Sequence, residues 1–518
     1  MQENYTFPRE HCMKIPSRYF SWPNAIAAIA ASAIFMGFSW PAAAQTTLRQ
    51  SNCATETLSK LGAVCYEFTG EENWDNPNGR KVKLPVAVIP GNAPEQAPVF
   101  FFPGGPGSSI LLNENYIREQ LDQIGPRTLV LVEDRGLVHA KPALQCPGRP
   151  ELERSYSPDK YGLGTLEERI EWKANFVKRC YRELKDKAID VSLYTDYQTV
   201  RDYDEVRKAL GYEKINIYGI SNGGGEIATY LTYHGNHVRS AIFGYPWLAA
   251  LRGRPAIDEF FASKELFNDM LGICVRDDKE CASKLPGYLS DIDRARAILD
   301  AKPYITTVPS EVEPGGRLKI RIDGATFLAQ LYDERNLDFN YYQLPKTLLA
   351  IKRGDYSALD EYFNLGAIDK LAPESASRSF GQLWSNMCGS MGKNRLTPEE
   401  AISMIKREPA LMGFESNVFC AWWGEDGNLP PNFNTIPVSN VPALAIHGQV
   451  DACCNIRSSK LLANSMPHLQ RVELQAQGHQ GPGAGCRKKL ISAFLDSPEA
   501  KVDDSCKNDE PLRKWVFE

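Results

Sequence analysis

The chain of 518 residues has no apolar run of twenty residues, no surplus of basic side chains and no paired Cys-x-x-Cys motifs. Each absence excludes a class of protein. The uncharged apolar stretch Ala25–Trp40 falls short of the ~20 residues that a membrane-spanning helix needs, so no stable membrane anchor is expected. A count of 59 Lys and Arg against 64 Asp and Glu leaves a net charge of −5 and no basic stripe to hold a polyphosphate, which excludes nucleic acid as a partner. No cysteine pair faces a second pair or a His pair at zinc-ligand spacing, so no metal is expected. G-x-G-x-x-G and G-K-[ST] are both missing, which removes the dinucleotide and phosphate loops and leaves no cofactor to expect. No internal repeat or low-complexity tract is visible.

What is present begins with a leader. Lys14 and Arg18 precede the apolar stretch, which ends in Pro41-Ala42-Ala43-Ala44-Gln45, the order of a secretory signal peptide cleaved after Ala44. Met13 opens such a leader by itself, so residues 1–12 read as an upstream start or a remnant. A secreted or periplasmic location follows. Of thirteen cysteines, twelve remain beyond the leader, an even number that suggests disulfides in an oxidising compartment. Connectivity cannot be deduced from sequence. Pairing of sequence neighbours would give Cys53–Cys65, Cys146–Cys180, Cys274–Cys281, Cys388–Cys420 and Cys486–Cys506, with Cys453 and Cys454 left over. Those two either form a strained vicinal bond, pair elsewhere or stay reduced.

With 43% hydrophobic and 24% charged residues, the rest is an ordinary globular chain, too long for one simple core. Apolar runs at Lys81–Ile89, Val99–Phe102, Thr128–Glu133, Lys214–Tyr218, Arg239–Phe243, Val441–Ile446 and Gln470–Leu474 read as strands of a mostly parallel sheet alternating with helices. Between about 249 and 430 such runs stop and helical stretches take over, around Ile257–Leu271, Tyr288–Leu299, Ala325–Tyr332, Leu344–Arg353 and Pro398–Lys406. The expected organisation is a leader over 1–44, an α/β core split into 45–248 and 431–518, and an inserted helical cap over 249–430.

Gly219-Ile220-Ser221-Asn222-Gly223 has the form G-x-S-x-G and stands between a strand and a helix-capable segment, the setting of a nucleophile elbow. A serine hydroxyl is a poor nucleophile until an imidazole takes its proton, and the imidazole needs a carboxylate to fix its tautomer. Asp451 and His479 follow the last two expected strands, in the order Ser, Asp, His of an α/β-hydrolase fold. Of the other histidines, His11 lies in the leader, His234 and His237 at the far end of the elbow helix, and His447 and His468 have no loop context that would bring them to Ser221. Pro103-Gly104-Gly105-Pro106-Gly107 follows the strand Val99–Phe102, where a second oxyanion amide is expected. Pro106 has no N–H, so Gly104 or Gly105 must donate together with the Asn222 amide.

Phe102 to Ser109, Glu133-Asp134-Arg135-Gly136, Ala143-Leu144-Gln145-Cys146, the elbow, and Cys486 with Cys506 together resemble the tripeptidyl-aminopeptidase-like hydrolases, relatives of proline iminopeptidases. The resemblance implies an α/β-hydrolase fold with a cap, a Ser-Asp-His mechanism and removal of short pieces from peptide N-termini. Pro103, Glu133 and Asn222 depart from the family's His, Asp and aromatic residue. Relatives that bind a free amino terminus also place an acidic residue shortly after the cysteine matching Cys388, where this chain has Gly389, Ser390 and Met391. Glu226, Asp338 or Glu415 would have to substitute, and Trp384 and Trp422, with Trp423, Tyr341 and Tyr342, would line an apolar pocket. Three readings follow: a serine hydrolase of short peptides or amides, a carboxylesterase acting on a bulky ester or lactone, and an inactive binding protein on a hydrolase fold.

Overall fold

The computed structural model describes residues 47–146, 164–252, 254–309, 315–332, 341–367, 378–412, 418–424, 426–433, 435–451, 454, 456–479, 484–509 and 513–518. The leader, Asp338, Glu415 and Cys453 lie outside the described residues, and the question of a Cys453–Cys454 bond lies there with them.

Fully apolar segments make the centre of the sheet. Strands β4 (Val99–Phe102) and β5 (Leu129–Val132) are buried at every position, as strands covered on both faces must be. They belong to a nine-stranded sheet ordered β1-β2-β3-β5-β4-β6-β7-β10-β11, completed by β1 (Thr47–Gln50), β2 (Val64–Glu71), β3 (Lys81–Ile89), β6 (Ile215–Ile220), β7 (Val238–Gly244), β10 (Ala443–Gly448) and β11 (Leu469–Leu474). From β5 to β11 every pairing is parallel, while β1, β2 and β3 add an antiparallel edge. The period of two is visible in the packing: Val99, Phe101, Leu129 and Leu131 enter one core, Phe100, Phe102, Val130 and Val132 the other.

Helices cover both faces. Val200, Tyr203 and Val206 are buried in the helix Asp196–Ala209, and Gly211 just beyond its end has φ +79°, the left-handed conformation that glycine adopts without a Cβ clash. The longer helix Leu166–Asp186 opens with a capping box in which Thr165 and Glu168 satisfy each other's backbone N–H groups. Its buried face joins a third core shared with the insertion between β7 and β10.

That insertion is not wholly helical. It contains the antiparallel hairpin β8 (Tyr304–Pro309) and β9 (Arg317–Ile322), in which Arg317, Lys319 and Arg321 point outward while Leu318, Ile320 and Ile322 are buried. The alternation is a half-buried strand pattern, overlooked in a region judged by its helical stretches. It also contains the helix Phe380–Gly389, buried along its whole length. Five disulfides join Cys53–Cys65, Cys146–Cys180, Cys274–Cys281, Cys388–Cys420 and Cys486–Cys506, the pairs that sequence neighbours suggest. Among the described residues no helix is long and apolar enough to cross a membrane.

Candidate active site

The chain turns sharply as β6 ends, and Ser221 occupies the turn with φ +57° and ψ −121° before the helix Asn222–His234 begins. A side chain in that region costs about 1–3 kcal/mol and persists only where its surroundings enforce it. They do so here. The Ser221 N–H donates to Gly244 O at 2.9 Å, and its carbonyl accepts from Trp247 at 2.8 Å and Gly224 at 2.9 Å. A Cβ at Gly223 would stand 2.0 Å from Phe102 O, so only glycine lets the elbow helix lie against β4. Ser221 keeps only 9% of its surface.

His479 and Asp451 come from the loops after β11 and β10. The two loops are pressed together: a Cβ at Gly448 would meet Gln477 O at 2.2 Å, and the Val450 N–H donates to that same oxygen at 2.9 Å. His479 Nδ1 lies 3.1 Å from Asp451 Oδ2, and Asp451 Oδ1 accepts from the Cys454 N–H at 2.9 Å. Tyr245, itself at φ +49°, sets its ring edge-on to the imidazole at 5.7 Å and receives a hydrogen bond from Arg487. Both contacts restrain the imidazole. Burial opposes the imidazolium, but the Asp451 charge, the nearby Cys454 and their hydrogen bonds outweigh it and hold His479 well above the usual histidine range.

A base must be neutral to accept a proton. Below its raised pKa the imidazole is charged, so kcat/KM is expected to rise with pH through a single ionisation on the alkaline side of 6.5 and then level off. Initial rates across pH 5–10 check this. A midpoint below 6.5 would contradict the Asp451–His479 pairing. His447, by contrast, is pushed down to about 4 by burial, and its Nδ1 lies 3.4 Å from Cys454 O beside the Asp451 loop.

The glycine loop after β4 reaches the nucleophile, since a Cβ on Gly104 would sit 2.8 Å from the Ser221 Cβ. Gly105 has φ +71° and closes a turn by accepting from the Ser108 N–H at 2.9 Å. Asn222 starts the elbow helix, where first-turn N–H groups have no intrahelical partner and point toward incoming negative charge. The far end of the loop is tied down by Ser109, whose Oγ donates to Glu133 Oε2 at 2.8 Å. Glu133 Oε1 also lies 3.1 Å from Nδ1 of His139, a histidine that no sequence pattern singles out. Ser109, His139 and Glu133 are not a second triad, because the same ring nitrogen faces both partners and no proton relay through the ring is possible. Next to Glu133, Arg135 is wholly buried and grips both oxygens of Asp202 and the carbonyls of Glu71, Glu72 and Leu193, locking that motif to the antiparallel edge.

The residues expected to line a pocket are buried or half-buried side chains. Trp384 is packed among Phe176, Phe380 and Trp423, and Trp422 against Phe419, in the core shared with the insertion. Trp423 and Tyr341 are buried in that core as well, with Tyr342 at its edge. Glu226 is buried, with Oε1 accepting from Asn222 Nδ2 at 3.0 Å. Burial, reinforced by Asp134 and Asp196, raises its pKa well above the usual carboxylate range. Among the described residues no three His, Cys, Asp or Glu side chains are gathered as metal ligands would be.

Comparison with known proteins points to the same fold. Residues 97–268 match a family described as alpha/beta hydrolase fold, and residues 412–506 one described as TAP-like protein. The chain is similar to a tripeptidyl aminopeptidase of Streptomyces lividans, 25% identical over 210 residues, 39% of this chain and 38% of that protein. It is similar to carboxylesterase B of Mycobacterium tuberculosis, 27% identical over 230 residues, 41% of this chain and 42% of that one. Serine protease Hip1 of the same species is 24% identical over 177 residues, 31% and 32% of the two chains. The match thus spans well under half the length of each of these relatives.

Proposed function

From the premise that this chain belongs to the α/β-hydrolase family, we propose that it is a serine hydrolase in which Ser221, His479 and Asp451 form the triad and act by acyl transfer on short peptides or amides. One observation carries the reading: a serine forced to positive φ at a strand-to-helix turn, at the same C-terminal end of the parallel strands as a histidine bound to a buried aspartate. Ser221 Oγ attacks the scissile carbonyl while His479 Nε2 takes its proton, and Asp451 holds the Nδ1–H and steadies the imidazolium. The oxyanion forms against the amides of Asn222 and of Gly104 or Gly105. His479 returns the proton to the leaving amine, then deprotonates the water that releases the acyl group from Ser221. The leader pattern and the five disulfides favour an exported protein.

Relatives named as a tripeptidyl aminopeptidase and a serine protease support the peptide reading. A second reading, a carboxylesterase for bulky esters, is favoured by the fate of Glu226: a buried carboxyl whose Oε1 is engaged by Asn222, and whose charge burial opposes, is poorly suited to neutralise a substrate ammonium. Peptidyl and aminoacyl anilides assayed beside acyl esters separate the two. The peptide reading expects turnover of anilides with a free amino terminus and a large loss of kcat/KM when that terminus is blocked. Turnover of esters alone would replace it with the second reading.

A further inference from the structure

Behind the elbow lies a charged side chain that the triad does not use. Arg252, in the segment following β7, is fully buried. Its Nη2 donates to Asn222 Oδ1 at 2.7 Å and lies 2.9 Å from Asp196 Oδ2. Its Nη1 donates to Ser390 Oγ at 2.8 Å and to the Asn386 carbonyl at 3.2 Å. Three hydrogen bonds and one ion pair thereby hold the two Nη groups. Since Arg only donates, Asn222 must turn Oδ1 toward it and Nδ2 toward Glu226, so the asparagine side chain is held from both sides.

Asn386 and Ser390 belong to the end of the buried helix Phe380–Gly389. Asn386 also donates to the other oxygen of Asp196, and the disulfide Cys388–Cys420 anchors the same turn. At the opposite end of this helix the Ser379 N–H donates to Gly107 O at 2.6 Å, and Ser379 Oγ accepts from Gln145 at 2.8 Å. One helix of the insertion therefore touches the glycine loop at its start and, through Arg252, the Asn222 residue at its end. Those are the two segments from which the oxyanion amides come.

We propose that Arg252 is a positioning residue for acyl transfer: it fixes Asn222, and with it the amide that faces the oxyanion, against a helix that also holds the glycine loop. The proposal rests on the serine mechanism above. Asp196 balances the guanidinium charge, so what Arg252 contributes is orientation. An amide that drifts from the oxyanion weakens the transition state far more than the bound substrate, because the charge appears only as the carbonyl is attacked. The loss should fall on kcat.

Arg252→Met alone would strand the Asp196 charge, so the main test is Arg252→Met with Asp196→Asn, accompanied by Arg252→Lys and Ser390→Ala. Each variant is assayed for kcat and KM on one substrate, titrated with a fluorophosphonate to count reactive Ser221, and checked by thermal unfolding. In the double variant kcat should fall by about 100-fold, the scale of a misplaced oxyanion donor. KM should stay within about twofold and the count of reactive serines unchanged. Lysine should restore part of the rate, since it can serve some of the same partners, and Ser390→Ala should lower kcat by roughly threefold, the scale of one modest hydrogen bond. A folded double variant with wild-type kcat, or a loss confined to KM, overturns the proposal. If the double variant does not fold, unchanged kcat in both single variants overturns it. Should wild-type protein take up no phosphonate at Ser221, the serine mechanism itself fails and the positioning role falls with it.

Discussion

Ser221→Ala is expected to lower kcat by about 10⁵- to 10⁶-fold, the loss seen when the nucleophile of a serine triad is removed. The substitution deletes one oxygen. The backbone at positive φ is held by the hydrogen bonds to Gly244, Trp247 and Gly224, which do not involve the side chain, so the variant should fold and melt like the parent. What survives is the part that binding and the oxyanion amides supply without a nucleophile. Turnover by pure variant protein on the best ester or anilide of the panel measures it. A residual rate above about one per cent of the parent would remove Ser221 from the mechanism.

Asp451→Asn should be nearly as damaging, lowering kcat by up to ~10⁴-fold, or about 5.5 kcal/mol of transition-state stabilisation. The cause is the tautomer. Asp451 Oδ2 accepts the Nδ1–H of His479, while Oδ1 accepts from Cys454 N–H at 2.9 Å. An asparagine can keep its oxygen on the Cys454 N–H only by turning its NH₂ toward His479. The ring then accepts at Nδ1 and carries its proton on Nε2, where it cannot take one from serine. The variant should also lose the charge that holds His479 above its usual range, leaving burial to lower it, so the pH midpoint of the remaining activity should move toward acid. Near-normal kcat, or a midpoint that does not move, would assign the acid to another residue.

The three residues proposed as the triad are legible in sequence because each sits beside a signal of its own. Ser221 lies in a glycine-flanked motif after an apolar strand, Asp451 follows the apolar run of β10, and His479 follows β11, where Val472 and Leu474 alternate with polar residues. The same contrast explains the sheet. Strands β4 to β7 and β10 are buried, near-continuous apolar runs and β3 and β11 alternate buried apolar with polar positions, whereas β2, Val64–Glu71, mixes Tyr66, Glu67 and Thr69 into an antiparallel edge. The hairpin β8–β9 was readable from alternating Arg317–Ile322 yet was masked by the helical stretches around it. Arg252 had no such mark. Its partners stand at 196, 222, 386 and 390, and only the folded insertion brings them together. Glu226, one of the carboxylates that would have to replace the acidic residue missing after Cys388, has its Oε1 engaged by Asn222. His139 passed unnoticed because Glu133 and Ser109, six and thirty positions away, form no recognisable pattern with it.

The most direct test of a Ser221-centred hydrolase is covalent. Protein treated with a fluorophosphonate, digested and mapped by mass spectrometry should carry one phosphonyl group, on the peptide containing Gly219-Ile220-Ser221-Asn222-Gly223, in step with loss of activity. Substituting His479 with alanine should slow that labelling by several orders of magnitude, because the hydroxyl then has no base. Inactivation with the label on another residue, or full activity in protein fully labelled at Ser221, would contradict the account.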